Sequence, residues 1–266
     1  MIILGSFDSI KIYCIIDFMN LQGGNRFFFE FSGEEGFLSE EESFHLIKVL
    51  RKKQGDRLFL IDGQGKEFEA EIKEIVKDGK TLKARVQILK LLREEKPRTP
   101  KVIGILPVLK KEKTEWLVEK GTELGVDIFV PFYSRFSVAK PSKNLIPRLI
   151  NKAKQALKQS GRLFMPEILS PVELKAFLKD FPWKESLKLV GGLDSSLKVE
   201  ELCIKLKETH TVVFITGPEG GFEKTEEELL SKVGFLFLSL GPYVLRAETA
   251  FLGLASVISF LSLSMD

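Results

Sequence analysis

Val212-Val213-Phe214-Ile215-Thr216-Gly217-Pro218-Glu219-Gly220-Gly221-Phe222 runs from an apolar, β-branched stretch straight into a glycine-rich turn, and residues 225–233 then repeat apolar positions at helical spacing. The reading is strand, turn, helix. A glycine turn there lets a ligand approach bare backbone and meet free amides at a helix start. The spacing matches neither the P-loop, which needs Gly-Lys-Ser/Thr, nor the dinucleotide fingerprint. Glu219 stands inside the turn, where its charge opposes a phosphate, so a cationic or hydroxyl-bearing ligand is favoured. The bland alternative is a plain strand-to-helix turn.

The same alternation extends in both directions. Residues 102–108, 128–132, 187–190 and 235–240 read as strands, and residues 114–124, 146–159 and 198–207 and the C-terminus read as helices. Ser170-Pro171-Val172-Glu173 reads as a further helix start, with a capping serine and a proline at the first helical position. Strands alternating with helices imply an α/β domain with a parallel sheet covered on both faces. Ligands in such sheets bind outside the carboxyl ends of the strands. A second strand there leads into a loop with unusual chemistry, Leu240-Gly241-Pro242-Tyr243-Val244-Leu245-Arg246-Ala247-Glu248-Thr249-Ala250. Arg246 and Glu248 lie between an apolar strand and an apolar helix, where an unpaired charge is costly. Two roles remain open for them: functional groups, or a mutual structural ion pair.

Upstream of Pro97 and Pro100 the pattern changes. Residues 27–31, 58–62, 68–76 and 82–91 are strand-like, and Ser39-Glu40-Glu41-Glu42 caps a helix carrying Phe44, Ile47 and Leu50. A small β-barrel with one helix is expected over residues 26–96, and the α/β domain over residues 97–266. Residues 1–25 are left as an unassigned extension, apolar but without the early basic residues of a signal peptide.

The chain has 266 residues, about two domains at roughly 150 residues each. Hydrophobic residues make up 44%, which rules out a disordered chain. With two cysteines (Cys14, Cys203) and two histidines (His45, His210), neither a disulfide framework nor a Cys/His zinc site is available, and a cytoplasmic setting fits. The longest uncharged run, residues 249–265, is shorter than the about 20 residues that span a bilayer and carries serines, so it reads as a buried helix.

The net charge is only +3, but its distribution is uneven. Residues 140–166 hold Lys140, Lys143, Arg148, Lys152, Lys154, Lys158 and Arg162 with no acidic residue. In helical register Arg148, Lys152, Gln155, Gln159 and Arg162 share one face. Lys48, Arg51, Lys52, Lys53 and Arg57 form a second basic run. Two such clusters in a nearly neutral protein favour a polyanion such as RNA over two merely solvated faces. Trp116, Trp183 and His45 read as packing residues.

The two loops taken together resemble the ribosomal small-subunit RNA uracil-N3 methyltransferases, of the trefoil-knotted SPOUT superfamily. Further stretches agree: His45-Leu46 with Val49-Leu50-Arg51 and Gly55-Asp56, Asp62-Gly63, Lys120 with Glu123-Leu124-Gly125-Val126, and Gln159-Ser160-Gly161-Arg162. The resemblance implies a PUA-like RNA-binding β-barrel followed by a SPOUT-type knotted parallel sheet with helices on both faces, in which the chain between Leu240 and Ala250 is threaded, against the usual rule. It implies S-adenosylmethionine as cofactor, no metal, and a homodimer acting on N3 of a specific uridine in 16S ribosomal RNA, free or in the 30S subunit. By the same resemblance the cofactor would rest on Ile215, Gly217, Pro218, Glu219, Gly220, Gly221, Leu240, Gly241, Leu245 and Ala250. Arg246 and Glu248 would be catalytic, and Lys48, Arg51, Lys52, Arg148, Lys152 and Arg162 would hold RNA. The chain departs from the family pattern at Tyr243, where an arginine is usual, and at Gln155 and Lys158, where acidic residues are common. A non-catalytic RNA-binding protein on the same fold is the competing reading. A nucleotide hydrolase is weakened by the missing P-loop lysine.

Overall fold

The computed structural model describes residues 26–30, 33–79, 81–192 and 197–263. The extension at residues 1–25 lies outside the described residues. The chain divides into two compact units, one up to Glu94 together with Lys158–Leu163, the other comprising Glu95–Leu157 and the residues from Phe164 onward.

The first unit holds a five-stranded sheet in the order β1-β3-β4-β5-β2, from β1 (Arg26–Phe28), β2 (Glu35–Phe37), β3 (Arg57–Ile61), β4 (Lys66–Asp78) and β5 (Thr81–Glu94). Only β1 and β3 pair in parallel; the other pairs are antiparallel. Register shifts along β4–β5 bend this long hairpin, and Phe27, Leu46, Leu58, Leu60, Ile72 and Val86 fill a single core beneath it. Helix α1 (Glu40–Phe44) starts at Ser39, whose hydroxyl accepts from the Glu42 amide, and runs on as a π-turn (His45–Val49). The expected apolar face is rotated: Glu42 and Ser43 are buried while Phe44 is exposed. The reason lies far along the chain, because the Lys158 ammonium meets the Glu42 carboxylate at 2.9 Å. Gly65 N donates to Leu163 O and Arg93 to Gly161 O, so residues 158–163 count with this unit, which a boundary at 96/97 did not anticipate.

The second unit holds a seven-stranded sheet in which β12 (Leu236–Ser239), β10 (Leu187–Gly192), β11 (Thr211–Thr216), β6 (Lys101–Pro107), β7 (Ile128–Tyr133) and β8 (Glu167–Ile168) lie side by side, with β9 (Val172–Glu173) also on β7. All these pairs are parallel. Alternate residues feed opposite faces. Val212 and Phe214 join a cluster with α2 (Lys113–Glu123), α3 (Leu145–Ser160), α5 (Val199–Glu208) and α7 (Ala247–Leu263), whereas Val213 and Ile215 join α4 (Leu174–Lys179) and α6 (Lys224–Val233). Burial on both faces is what the near-continuous apolar strands demand.

Helix α7 carries most of the uncharged C-terminal run after Glu248, and Phe251, Leu254, Ala255 and Ile258 seat it on the sheet. Its approach is close because β6 has Gly104 beneath it: a Cβ there would lie 2.9 Å from Phe251 Cζ and 3.1 Å from Phe214 Cζ. No helix among the described residues is long and apolar enough to cross a membrane. One expected helix start moves. Val172–Glu173 is strand, and α4 begins at Leu174, capped by the Glu173 carboxylate, which accepts from the Ala176 amide. Pairing of Val172 and Glu173 with Phe132 and Tyr133 displaces the serine-proline start.

Candidate functional site

The site is set by where three strands stop. Strand β10 lies between β11 and β12, parallel to both, with Gly191 opposite Thr216 and Gly192 opposite Ser239. Their carboxyl ends therefore share one edge of the sheet, and the two loops singled out in the sequence leave from that edge. Gly191 is the contact between them: a Cβ built on it would lie 3.0 Å from Thr216 Cγ2 and 3.7 Å from Leu240 Cδ1. Gly191-Gly192 is a part of the site that sequence reasoning missed; a glycine pair at a strand end was its available signal.

The glycine loop leaves Thr216 and closes on itself, with Gly221 N donating to Pro218 O at 2.9 Å and Gly221 in the left-handed region at φ 73°. Ile215 and Pro218 are buried, and Glu219, Gly220 and Gly221 are exposed. Glu219 makes no hydrogen bond or ion pair among the described residues. The Thr216 hydroxyl is fully buried at the base of the edge and has no hydrogen-bond partner among them. A buried hydroxyl without a partner beside a glycine-rich loop suits a polar ligand lying against backbone.

The loop leads into α6 through Glu223, whose carboxylate receives Arg135 and Lys175, each at 2.7 Å. The Lys175 hydrogen bond is the main cause holding the Glu223 carboxyl below the ordinary carboxylate range.

In the second bend, Gly241, Leu245 and Arg246 are exposed and Ala250 is half-buried. The structure bears on one of the two readings of Arg246 and Glu248. They are not a mutual ion pair: Glu248 Oε1 is 2.9 Å from Lys113 Nζ at the start of α2, while the exposed Arg246 side chain makes no hydrogen bond or ion pair among the described residues. The Lys113 hydrogen bond, with a smaller contribution from the Arg246 charge, holds the Glu248 carboxyl below its usual range. Its other oxygen, Oε2, is buried without a partner among the described residues. Lys113 is thus a second missed residue, and no local signal could have found it, because only the packing of α2 against α7 brings it there.

The basic residues fare unevenly. Arg148 and Lys152 do lie on α3, but Arg148 Nε is 3.2 Å from Glu115 and Lys152 Nζ is 3.6 Å from Glu119, both on α2. The acid-free run is acid-free only along the chain. Arg162 does not share their face, since α3 ends at Ser160 and Gly161 turns left-handed at φ 76°. Lys48 and Arg51 are exposed in the first unit, and the Lys52 ammonium donates to Arg57 O. His45 packs its ring 5.9 Å from Phe27, and Trp183 joins Phe177 and Phe181, as packing residues should. Trp116 instead stands 42% exposed on α2.

A parallel sheet with a ligand cradle at the carboxyl edge, joined to a separate small β domain, defines a class, and comparison with known proteins names it. Residues 95–259 match the RNA methyltransferase domain model and residues 38–86 the RNA methyltransferase PUA domain model. The chain is 30% identical over 236 residues to ribosomal RNA small subunit methyltransferase E of Bacillus subtilis, covering 84% of this chain and 89% of that one. The Aquifex aeolicus protein of the same name is 31% identical over 229 residues, covering 78% and 96%. A Neisseria gonorrhoeae ribosomal RNA small subunit methyltransferase E solved with S-adenosyl methionine superposes with a TM-score of 0.77 at 25% identity, covering 87% and 95%. A Legionella pneumophila structure described as a methyltransferase in complex with SAM gives 0.78 at 34% identity, covering 88% and 96%. The fold is that of an RNA methyltransferase. Within that class, the chain belongs to the ribosomal RNA small subunit methyltransferase E family.

Proposed function

We propose that this chain methylates N3 of a specific uridine in small-subunit (16S) ribosomal RNA with S-adenosylmethionine, as a cytoplasmic homodimer. The observation that carries the reading is the convergence of the glycine loop and the Arg246–Glu248 bend on Gly191. S-adenosylmethionine would lie along the glycine loop, its hydroxyl-bearing part against backbone and Thr216, with Glu219 offering negative charge to the sulfonium. When bound, it supplies an electrophilic methyl group.

The imide nitrogen of uracil must lose its proton before its electron pair can attack. N3 lies on the Watson–Crick edge, so the base must be unpaired or displaced from its stack. We assign to Arg246, an unpaired cation on the bend, the stabilisation of negative charge developing on a uracil carbonyl, and the proton passes to solvent. Preorganised charge and alignment are the main sources of rate in such a displacement. Glu248 is a poor proton acceptor in this reading, because Lys113 keeps its carboxyl ionised and its basicity low. It acts as a positioning residue, an anion that pairs with Lys113 and feels the Arg246 charge only at longer range. Lys48, Arg51, Lys52, Arg148, Lys152 and Arg162 supply phosphate contacts, weakened at Arg148 and Lys152 by their acidic neighbours.

The homodimer is supported by exposed apolar side chains along the second bend and α7: Val244 is 80% exposed and Leu263 58%. A cytoplasmic location follows from the substrate.

Mass spectrometry of small-subunit RNA from cells with and without the gene tests the reading. Methyluridine is expected to disappear without the gene and to return with the wild type but not with Arg246→Ala. Recovery of full methylation by Arg246→Ala removes Arg246 from the chemistry. Absence of any heat on mixing the chain with S-adenosylmethionine favours the non-catalytic RNA-binding alternative.

A further inference from the structure

We propose that Arg135 and Phe136, in the loop after β7, form a stacking platform for an unpaired base of the RNA substrate, beside the glycine loop. The proposal rests on the methyltransferase reading and adds to it a base subsite.

Strand β7 ends at Tyr133, and the loop after it is closed by a serine pair: Ser134 N donates to Ser137 Oγ at 2.9 Å and Ser137 N to Ser134 O at 3.2 Å. The closed turn presents the two residues between the serines. Phe136 is 43% exposed and belongs to neither apolar cluster of its unit. Its main chain is seated directly on the glycine loop, because a Cβ on Gly220 would lie 2.8 Å from Phe136 Cβ and 2.9 Å from its carbonyl oxygen. Gly220 is therefore required not for backbone freedom but for this close approach. A partly exposed phenylalanine outside both apolar clusters stands against the glycine loop proposed to hold the methyl donor.

The charge around it fits an RNA. The Arg135 guanidinium lies 5.9 Å from the Phe136 ring centroid and 2.7 Å from Glu223 Oε1, with most of its side chain in solvent. A partly exposed aromatic ring beside a laterally anchored cation is the arrangement on which single-stranded nucleic acid stacks, base on ring and phosphate near guanidinium. Methylation at N3 requires an unpaired base, and such a base has lost a stacking partner that Phe136 can replace.

Three full-length chains decide the matter: wild type, Phe136→Leu, which keeps apolar bulk without a π-face, and Phe136→Trp. Fluorescence anisotropy with labelled small-subunit RNA transcribed in vitro reads RNA binding, and calorimetry with S-adenosylmethionine reads the cradle. Expected is an RNA affinity weakened about tenfold in Phe136→Leu, within the range measured for base–aromatic stacking, restored in Phe136→Trp, with cofactor affinity unchanged in both. Wild-type RNA affinity in Phe136→Leu overturns the platform. So does loss of cofactor affinity in step with RNA affinity, which makes Phe136 a prop for the glycine loop. If the wild type binds RNA through Phe136 yet transfers no methyl group, the methyltransferase reading falls and the platform stands. If it methylates RNA while Phe136→Leu binds and turns over normally, the platform falls alone.

Discussion

Glu248 carries a charge that the local sequence does not balance. The neighbouring arginine two residues back points to solvent, and the partner comes from another helix: Lys113 Nζ at 2.9 Å. A carboxylate whose folded pKa is depressed contributes stability above its unfolded pKa and loses it as pH falls through the folded value. Replacing Lys113 by Met removes the main cause of that depression. Urea unfolding at pH 7 is expected to show Lys113→Met less stable by about 0.5–1 kcal/mol, a value discounted for the partial exposure of Lys113. The gap narrows as pH is lowered through the carboxylate range, because protonated Glu248 no longer needs the cation. An equal gap at both ends of that range argues that Lys113 stabilises by packing alone. Arg135 and Arg246 illustrate the converse: two arginines near the same sheet edge differ because one is anchored to Glu223 and the other is exposed.

Among the elements, the strands and long helices of the second unit were legible because each carries its own period. Val212, Val213, Phe214 and Ile215 are all apolar because both faces of β11 are covered, and α3 shows its buried stripe at Leu149, Ala153 and Leu157. Short elements were not legible. Strands β2 and β8 are too brief to show a period, and α4 starts where strand pairing of Val172 and Glu173 allows rather than where Ser170 and Pro171 suggest. The basic face of α3 shows a second limit, since side-chain periodicity on one helix says nothing about Glu115 and Glu119 on the next.

Close packing between elements is likewise written in single glycines. Gly104→Ala puts a methyl group within about the van der Waals limit of the tips of Phe251 and Phe214, which are themselves 4.8 Å apart between ring centres. Overpacking of this kind costs about 1–3 kcal/mol. A fall in the unfolding free energy from chemical denaturation by that amount, without loss of secondary structure by circular dichroism, is expected. A variant as stable as the wild type means that α7 moves freely on the sheet.

For the whole molecule, α7 and its preceding bend expose several large apolar residues, Tyr243, Val244 and Phe260 among them. Large exposed apolar areas mark interaction sites. Light scattering coupled to gel filtration is expected to give a mass of two chains for the wild type and one chain for Phe260→Asp, with the circular dichroism spectrum unchanged. A monomeric wild type sinks the homodimer, and a dimeric variant moves the interface off α7.

Alternation of apolar runs with amphipathic helices, two consecutive loops of unusual composition, and the proline-bearing break before residue 100 were enough to determine an α/β domain behind a small β domain and to single out the glycine turn as a candidate ligand site. Those are properties of contiguous residues, and local periodicity and turn chemistry report them directly. What the tertiary structure alone decided is which groups meet: Gly191 between the two loops, Lys113 on Glu248, Phe136 on Gly220, and Lys158 on Glu42. Each of these pairings joins residues far apart along the chain, brought together by burial of sheet and helix faces, and no short-range pattern in the sequence encodes such a distance.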